Sequence, residues 1–127
     1  MGVDSGSVYV FVEQENETWE ELQKRTPKDR EAVDLFGVWV AISGGTSGFG
    51  SIYDEEWVIN SGSVYVYTNI SGKWIEKGKI FPEGGADNEY SGYIVSILGS
   101  TSLFGAPDNW AEENGGSAYV VDLFVTC

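Results

Sequence analysis

Gly6-Ser7-Val8-Tyr9-Val10 returns as Gly62-Ser63-Val64-Tyr65-Val66 and again as Gly116-Ser117-Ala118-Tyr119-Val120, with starts 56 and 54 residues apart. Other landmarks keep nearly the same period. Trp19 maps to Trp74, Gly37 to Gly92, Thr46 to Thr101 and Phe49-Gly50 to Phe104-Gly105, each at a separation of 55. A chain of 127 residues thus holds a little more than two copies of one unit. Self-similarity at this spacing signals a repeat architecture, in which one unit buries its apolar faces only by stacking on its neighbours.

Around the motif, the segments read as strands. Val8 to Val12, Val64 to Tyr67 and Ala118 to Val121 are β-branched and aromatic runs bounded by Gly and Ser. Val38 to Ile42 and Tyr93 to Ile97 form a second set. Both sets are apolar on successive residues, whereas a sheet with one wet face would alternate, so both faces of these strands are expected to be covered. A more polar set begins at Trp19 and Trp74, and its charge suits an exposed sheet edge. A short set covers Thr46 to Gly50 and Thr101 to Ala106, and Gly-rich turns such as Ser43-Gly44-Gly45 and Ser71-Gly72-Lys73 separate the sets. One unit therefore reads as an inner strand at about 37–42, a second at 46–51, a third at 62–68 and an outer one at 73–80. Such four-stranded antiparallel units, apolar inside and charged outside, predict an all-β fold of β-propeller blades, about two in this chain. Lys24 to Glu31 reads as a charged linker with at most a short helical turn.

Composition narrows the chemistry. The chain carries 7 basic against 20 acidic residues, a net charge of −13, and so repels nucleic acid and anionic lipid surfaces. It has no histidine, which removes Ser-His-Asp and Cys-His catalysis and the usual zinc ligands. Paired carboxylates run glycoside hydrolysis. Twenty acids make some close pair inevitable, so the pairing carries no weight, no catalytic residue is assigned and the chain is not read as an enzyme. No apolar run is long enough to span a membrane, and the opening Met1-Gly2-Val3-Asp4-Ser5-Gly6 reads neither as a signal peptide nor as a myristoylation site. Cys127, the only cysteine, excludes an internal disulfide and is a candidate for an intermolecular link.

Taken together, Phe36-Gly37, Gly105-Ala106-Pro107, Gly116-Ser117-Ala118-Tyr119-Val120 and the tryptophans Trp19 and Trp74 resemble the FG-GAP repeat family, best known from integrin alpha-chain propellers. The resemblance runs from Gly6 to Val121 and implies a non-catalytic extracellular or cell-surface module for adhesion, ligand binding or assembly. Three features depart from the pattern. Copy one has Gly50-Ser51-Ile52 where Gly-Ala-Pro is expected, and copy two has Ser91-Gly92 for Phe-Gly. The Asp-rich calcium loop of the integrin version is replaced by the short turns Ser43-Gly44-Gly45 and Leu98-Gly99-Ser100, so calcium binding there does not carry over.

The strand inventory predicts an outer half-blade at 6–24, a complete blade at 36–81 and a three-stranded partial blade at 90–121. Either more blades belong to the same protein, or the N-terminal strands of one copy complete the last blade of the next, a head-to-tail contact. The expected partners are thus further copies of the chain or additional blades, with an extracellular protein or glycan as a further prospect. Asp54, Glu55, Asp108 and Glu112, in acidic loops after the second strands, are either solvated or ligands of calcium, a hard cation that takes six to eight oxygens. Asp29, Glu31 and Asp34, and the run Asp87-Asn88-Glu89, are weaker candidates of the same kind. Calcium would support the alternative of a lectin-like, carbohydrate- or protein-binding module. Trp57 and Trp110 lie in the same acidic loops, outside the strand pattern, and are the candidates for contact with a partner. Asn16-Glu17-Thr18 and Asn69-Ile70-Ser71 are sequons in corresponding turns, which makes Asn16 and Asn69 candidate N-glycosylation sites.

Overall fold

The computed structural model describes residues 6–26, 35–53, 61–81, 90–107 and 116–123. They form nine strands: β1 (Val8–Glu13), β2 (Trp19–Arg25), β3 (Trp39–Ser43), β4 (Thr46–Ser51), β5 (Ser63–Ile70), β6 (Lys73–Ile80), β7 (Ile94–Leu98), β8 (Thr101–Ala106) and β9 (Ser117–Asp122). These make three antiparallel sheets: a pair β1-β2, a four-stranded sheet β3-β4-β5-β6 and a three-stranded sheet β7-β8-β9. The fold is all-β, with propeller-type blades built as simple meanders. Arg25, read as linker from the sequence, belongs to β2, where it pairs with Val8.

Local chemistry explains the hairpins. Ser71 and Gly72 both have positive φ, 52° and 86°, the signature of the two-residue turn whose twist matches that of the flanking strands. The joints between third and outer strands repeat as well. The β1–β2 register shifts between Val10 and Phe11, and the β5–β6 register shifts between Val66 and Tyr67, so the irregularity falls at the corresponding residue of each copy.

The sheets pack face to face through two apolar clusters. Val8, Phe36, Phe49, Tyr65, Tyr67 and Trp74, with Val10 against them, bury the contact between the pair β1-β2 and the middle blade. Val64, Val95, Ile97 and Phe104 bury the contact between the middle and last blades, with Ala41, Ile80, Tyr119 and Val121 packed around them. Each fully buried side chain of this size contributes about 1.5–3 kcal/mol, so these clusters carry most of the drive to stack. A backbone joint accompanies each cluster. Gly6 forms a parallel bridge with Phe36, and Gly62 forms the same bridge with Ser91.

A polar clamp reinforces the first contact. The Trp74 backbone N–H donates to Gln23 Oε1 at 2.7 Å, and Arg25 Nε donates to the Trp74 carbonyl at 2.9 Å. Replacing Gln23 by Ala leaves a part-buried N–H without an acceptor. The expected cost is about 1 kcal/mol, the low end for an unsatisfied donor. Urea denaturation checks it, with Gln23→Glu, which keeps an acceptor, retaining most of the stability.

The expectation that both faces of the inner strands are covered holds on one side only. Val95 and Ile97 of β7 are buried against the middle blade, while Ile94 and Leu98 on the opposite face are exposed. Val40 and Ile42 of β3 are exposed as well. The reason is geometric: among the described residues the last blade has a neighbour on one side only, and the pair β1-β2 that faces Val40 and Ile42 has no inner strands to cover them.

Candidate assembly surfaces

The internal repeat supplies its own reference state for every exposed apolar side chain. Tyr65 and Tyr67 on β5 are 1% and 2% exposed because a neighbouring sheet covers them. Their counterparts on β1, Tyr9 and Phe11, are 50% and 51% exposed. The local setting is otherwise alike: Lys24 Nζ lies 5.5 Å from the centre of the Tyr9 ring, as Lys79 Nζ lies 5.2 Å from that of Tyr65. Trp74 is buried whereas Trp19, its counterpart on β2, is largely exposed. The first open surface is therefore the face of β1-β2 that corresponds to a buried face of the middle blade.

The second open surface lies at the other end. Val66 is 6% exposed beneath the last blade, while its counterpart Val120 is 71% exposed. Ile94, Leu98 and Leu103 extend the same uncovered face of the last blade. Next to it is a cavity of about 520 Å³ lined by Tyr93, Ile94, Gly105, Ala106, Pro107, Gly116, Ser117 and Ala118. Gly105 and Gly116 correspond to Gly50 and Gly62, which are the two glycines that receive Gly92 and Ser91 of the following blade. The cavity is thus an unfilled socket of the same design. Exposed contiguous apolar surface of this kind marks interaction sites in soluble proteins.

Several residues chosen from the sequence fall elsewhere. Asp54, Glu55, Asp108, Glu112, Trp57, Trp110 and Cys127 lie outside the described residues, as do Asp29, Glu31, Asp34 and the 87–89 run. Among the described residues there is no group of three or more acidic, Cys or His side chains able to hold a metal ion. Asn16 and Asn69 are exposed. Asn16 Oδ1 accepts from the Thr18 hydroxyl at 2.5 Å and from its N–H at 3.3 Å, and Asn69 Oδ1 accepts from the Gly72 N–H at 2.8 Å. The open faces themselves carry no signal in a single copy, because Tyr9 and Tyr65 sit in the same five-residue motif. Only the count of neighbours on each side separates them.

The FG-GAP repeat model matches residues 19–67 and 74–121, most of the chain. The chain belongs to the FG-GAP repeat family. Each matched FG-GAP unit opens at the tryptophan of an outer strand and runs on through the inner three strands of the next blade. The sequence unit and the structural blade are therefore out of phase by one strand, so consecutive blades are tied together covalently by every repeat. FG-GAP repeats make a structural and binding fold. No helix among the described residues is long and apolar enough to cross a membrane. No curated protein was found to match the chain.

Proposed function

We propose that this chain is a non-catalytic extracellular structural or adhesive module that works by stacking on further FG-GAP blades, in the same protein or in further copies of it. One observation carries the reading: Tyr9 and Phe11 stand half-exposed where Tyr65 and Tyr67 in the same motif are buried by a neighbouring sheet. Stacking on another blade would return both to the environment their counterparts already have. The socket at Gly105 and Gly116 offers the complementary surface at the other end, so the contact is head-to-tail and either closes into a ring or continues as a filament. The exposed Asn16, in the turn between β1 and β2, and Asn69, near the end of β5, suit glycosylation. An extracellular setting follows the family and agrees with the strongly acidic surface. The lectin-like alternative depends on calcium held by Asp54, Glu55, Asp108 and Glu112, and no described residue adds to it.

Sedimentation velocity over a wide concentration range tests the assembly reading. The expected result is a mass that rises with concentration for the native chain and stays monomeric for a Tyr9→Ser, Phe11→Ser variant. Both side chains are exposed in the single chain, so the variant keeps its fold. A native chain that stays monomeric throughout would overturn stacking between copies and leave further blades of the same protein as the occupants.

A further inference from the structure

The first open surface has a free strand edge as well as a face, and the repeat specifies what fits it. In the middle blade β5 is paired on both sides, with β4 on the inner side and β6 on the outer. In the last blade β9 likewise has β8 on its inner side. Among the described residues β1 pairs with β2 alone, and no described strand lies along its inner edge. Beside that edge lies an apolar groove of about 250 Å³, lined by Val8, Val10, Val40, Ile42, Phe49 and Trp74 among others. Building on the assembly reading above, we propose that this edge takes an antiparallel strand of the β4 type from a further blade, with the sequence chemistry Thr-Ser-Gly-Phe-Gly-Ser.

Register follows from the two filled examples. Phe49 lies opposite Tyr65 and Phe104 lies opposite Tyr119, so the incoming phenylalanine lies opposite Tyr9. Ser47 opposite Tyr67 and Ser51 opposite Ser63 place the incoming serines opposite Phe11 and Ser7. The two glycines then face Val10 and Val8, and both are required. A Cβ on Gly48 would lie 3.0 Å from Ile97 Cδ1 and 3.1 Å from Val95 Cγ1. The counterparts of those residues, Ile42 and Val40, line the groove beside β1. A Cβ on Gly50 would lie 1.9 Å from the Gly92 carbonyl oxygen, and Gly37 stands at the corresponding place in front of β1. The inner strand of the next blade therefore selects glycine on the strand that precedes it.

The chain contains the contrasting case. β8 reads Thr101-Ser102-Leu103-Phe104-Gly105-Ala106, with Leu103 where β4 has Gly48. Leu103 is accommodated because it points to the uncovered face of the last blade, where it is exposed. The same strand placed on β1 would drive that leucine into Val40 and Ile42. Edge pairing supplies backbone hydrogen bonds, and alternate side-chain positions supply selectivity. The β1 edge thus accepts β4-like strands and rejects β8-like ones.

A titration of the isotopically labelled full chain, at a concentration where it is monomeric, with a peptide of residues 44–52 tests this. The expected result is saturable change in the amide resonances of Ser7 to Val12 and of Val40 and Ile42. The same peptide carrying Gly48→Leu binds at least about tenfold more weakly, a difference of about 1.4 kcal/mol, and so does a peptide of residues 99–107. Equal binding of the native and the Gly48→Leu peptides, perturbations centred on β9, or no saturable binding would each overturn the proposal. The outcome separates from that of the assembly reading. A chain that stays monomeric at every concentration yet binds the peptide keeps the strand site and loses self-association. A chain that associates but ignores the peptide does the reverse.

Discussion

Replacing Phe36 by Ala is expected to lower stability by about 3–5 kcal/mol, the range for removing a buried phenylalanine. Phe36 is buried at the centre of the first cluster. Its ring meets Phe49 edge-on at 5.6 Å and 77°, Tyr65 edge-on at 5.1 Å and 83°, and Tyr67 at 6.4 Å and 56°. Such contacts add about 0.5–1.5 kcal/mol per aromatic pair beyond area burial, and the cavity left behind is walled by strands that cannot collapse without giving up their pairing. Against a total stability of about 5–15 kcal/mol, one substitution removes a large share. The second joint supplies the control. Ser91 occupies the corresponding position, fully buried, and its Oγ has no hydrogen-bond partner among the described residues. Phe104 and Tyr119 there stack at 5.3 Å and 21° instead of packing around a central ring. Ser91→Ala is therefore expected to be neutral or slightly stabilising. Thermal melts of the two variants beside the native chain check the contrast, and a Phe36→Ala melt within a few degrees of native would refute the central role of the ring.

Gly50→Ala is expected to break the contact between the middle and last blades, whereas Gly105→Ala is expected to leave it intact. The two positions lie 55 residues apart at the corresponding place in β4 and β8. At Gly50 a Cβ would fall 1.9 Å from the Gly92 carbonyl oxygen and 2.9 Å from its carbon. The obstacle is backbone, so relief requires the whole last blade to move, and the loss extends to the second cluster. Overpacking in a tight core typically costs about 1–3 kcal/mol, and this site lies at or above the upper end because no rotamer change can absorb the clash. At Gly105 a Cβ would meet nothing within 4 Å, and the backbone there is not left-handed. Alanine there changes stability by less than about 1 kcal/mol, with a small gain available from a stiffer unfolded chain. Amide hydrogen exchange gives the sharper readout: β7 to β9 lose protection in Gly50→Ala and keep it in Gly105→Ala. Similar protection in the two variants would mean that the blades are not held by this backbone contact. The asymmetry has a single origin, since Gly50 has a blade in front of it and Gly105 does not.

Most of the secondary structure was legible from the repeat. The second and outer strands of the middle blade begin and end at the residues the spacing predicts, 46–51 and 73–80. Inner strands start a little later than predicted, because Phe36 and Ser91 bridge to Gly6 and Gly62 of the preceding blade and Gly37 and Gly92 follow them with positive φ. Trp19 and Trp74 both read as residues of a charged outer edge, yet one is exposed and the other buried. The clamp by Gln23 and Arg25 was not legible, because it joins residues about fifty positions apart and no counterpart repeats it. Gly78 and Ile80 stand at the corresponding places in the middle blade. The candidate surfaces were hidden for a related reason. Hydrophobic patterning reports which side chains need cover but not whether cover is present.

The fold class and the family followed from sequence alone, since a 55-residue period of Gly-bounded β-branched and aromatic runs admits few architectures. The pairings of inner with second strands and of third with outer strands also followed, because the short turns after the inner and third strands force antiparallel neighbours. Tertiary structure decided which copies of the motif are buried. Val8, Val64 and Ala118 occupy one position in the repeat, and so do Tyr9, Tyr65 and Tyr119. Burial is a property of the neighbouring blade, whereas the repeat describes only the strand itself. Identical residues thus become core at Tyr65 and surface at Tyr9.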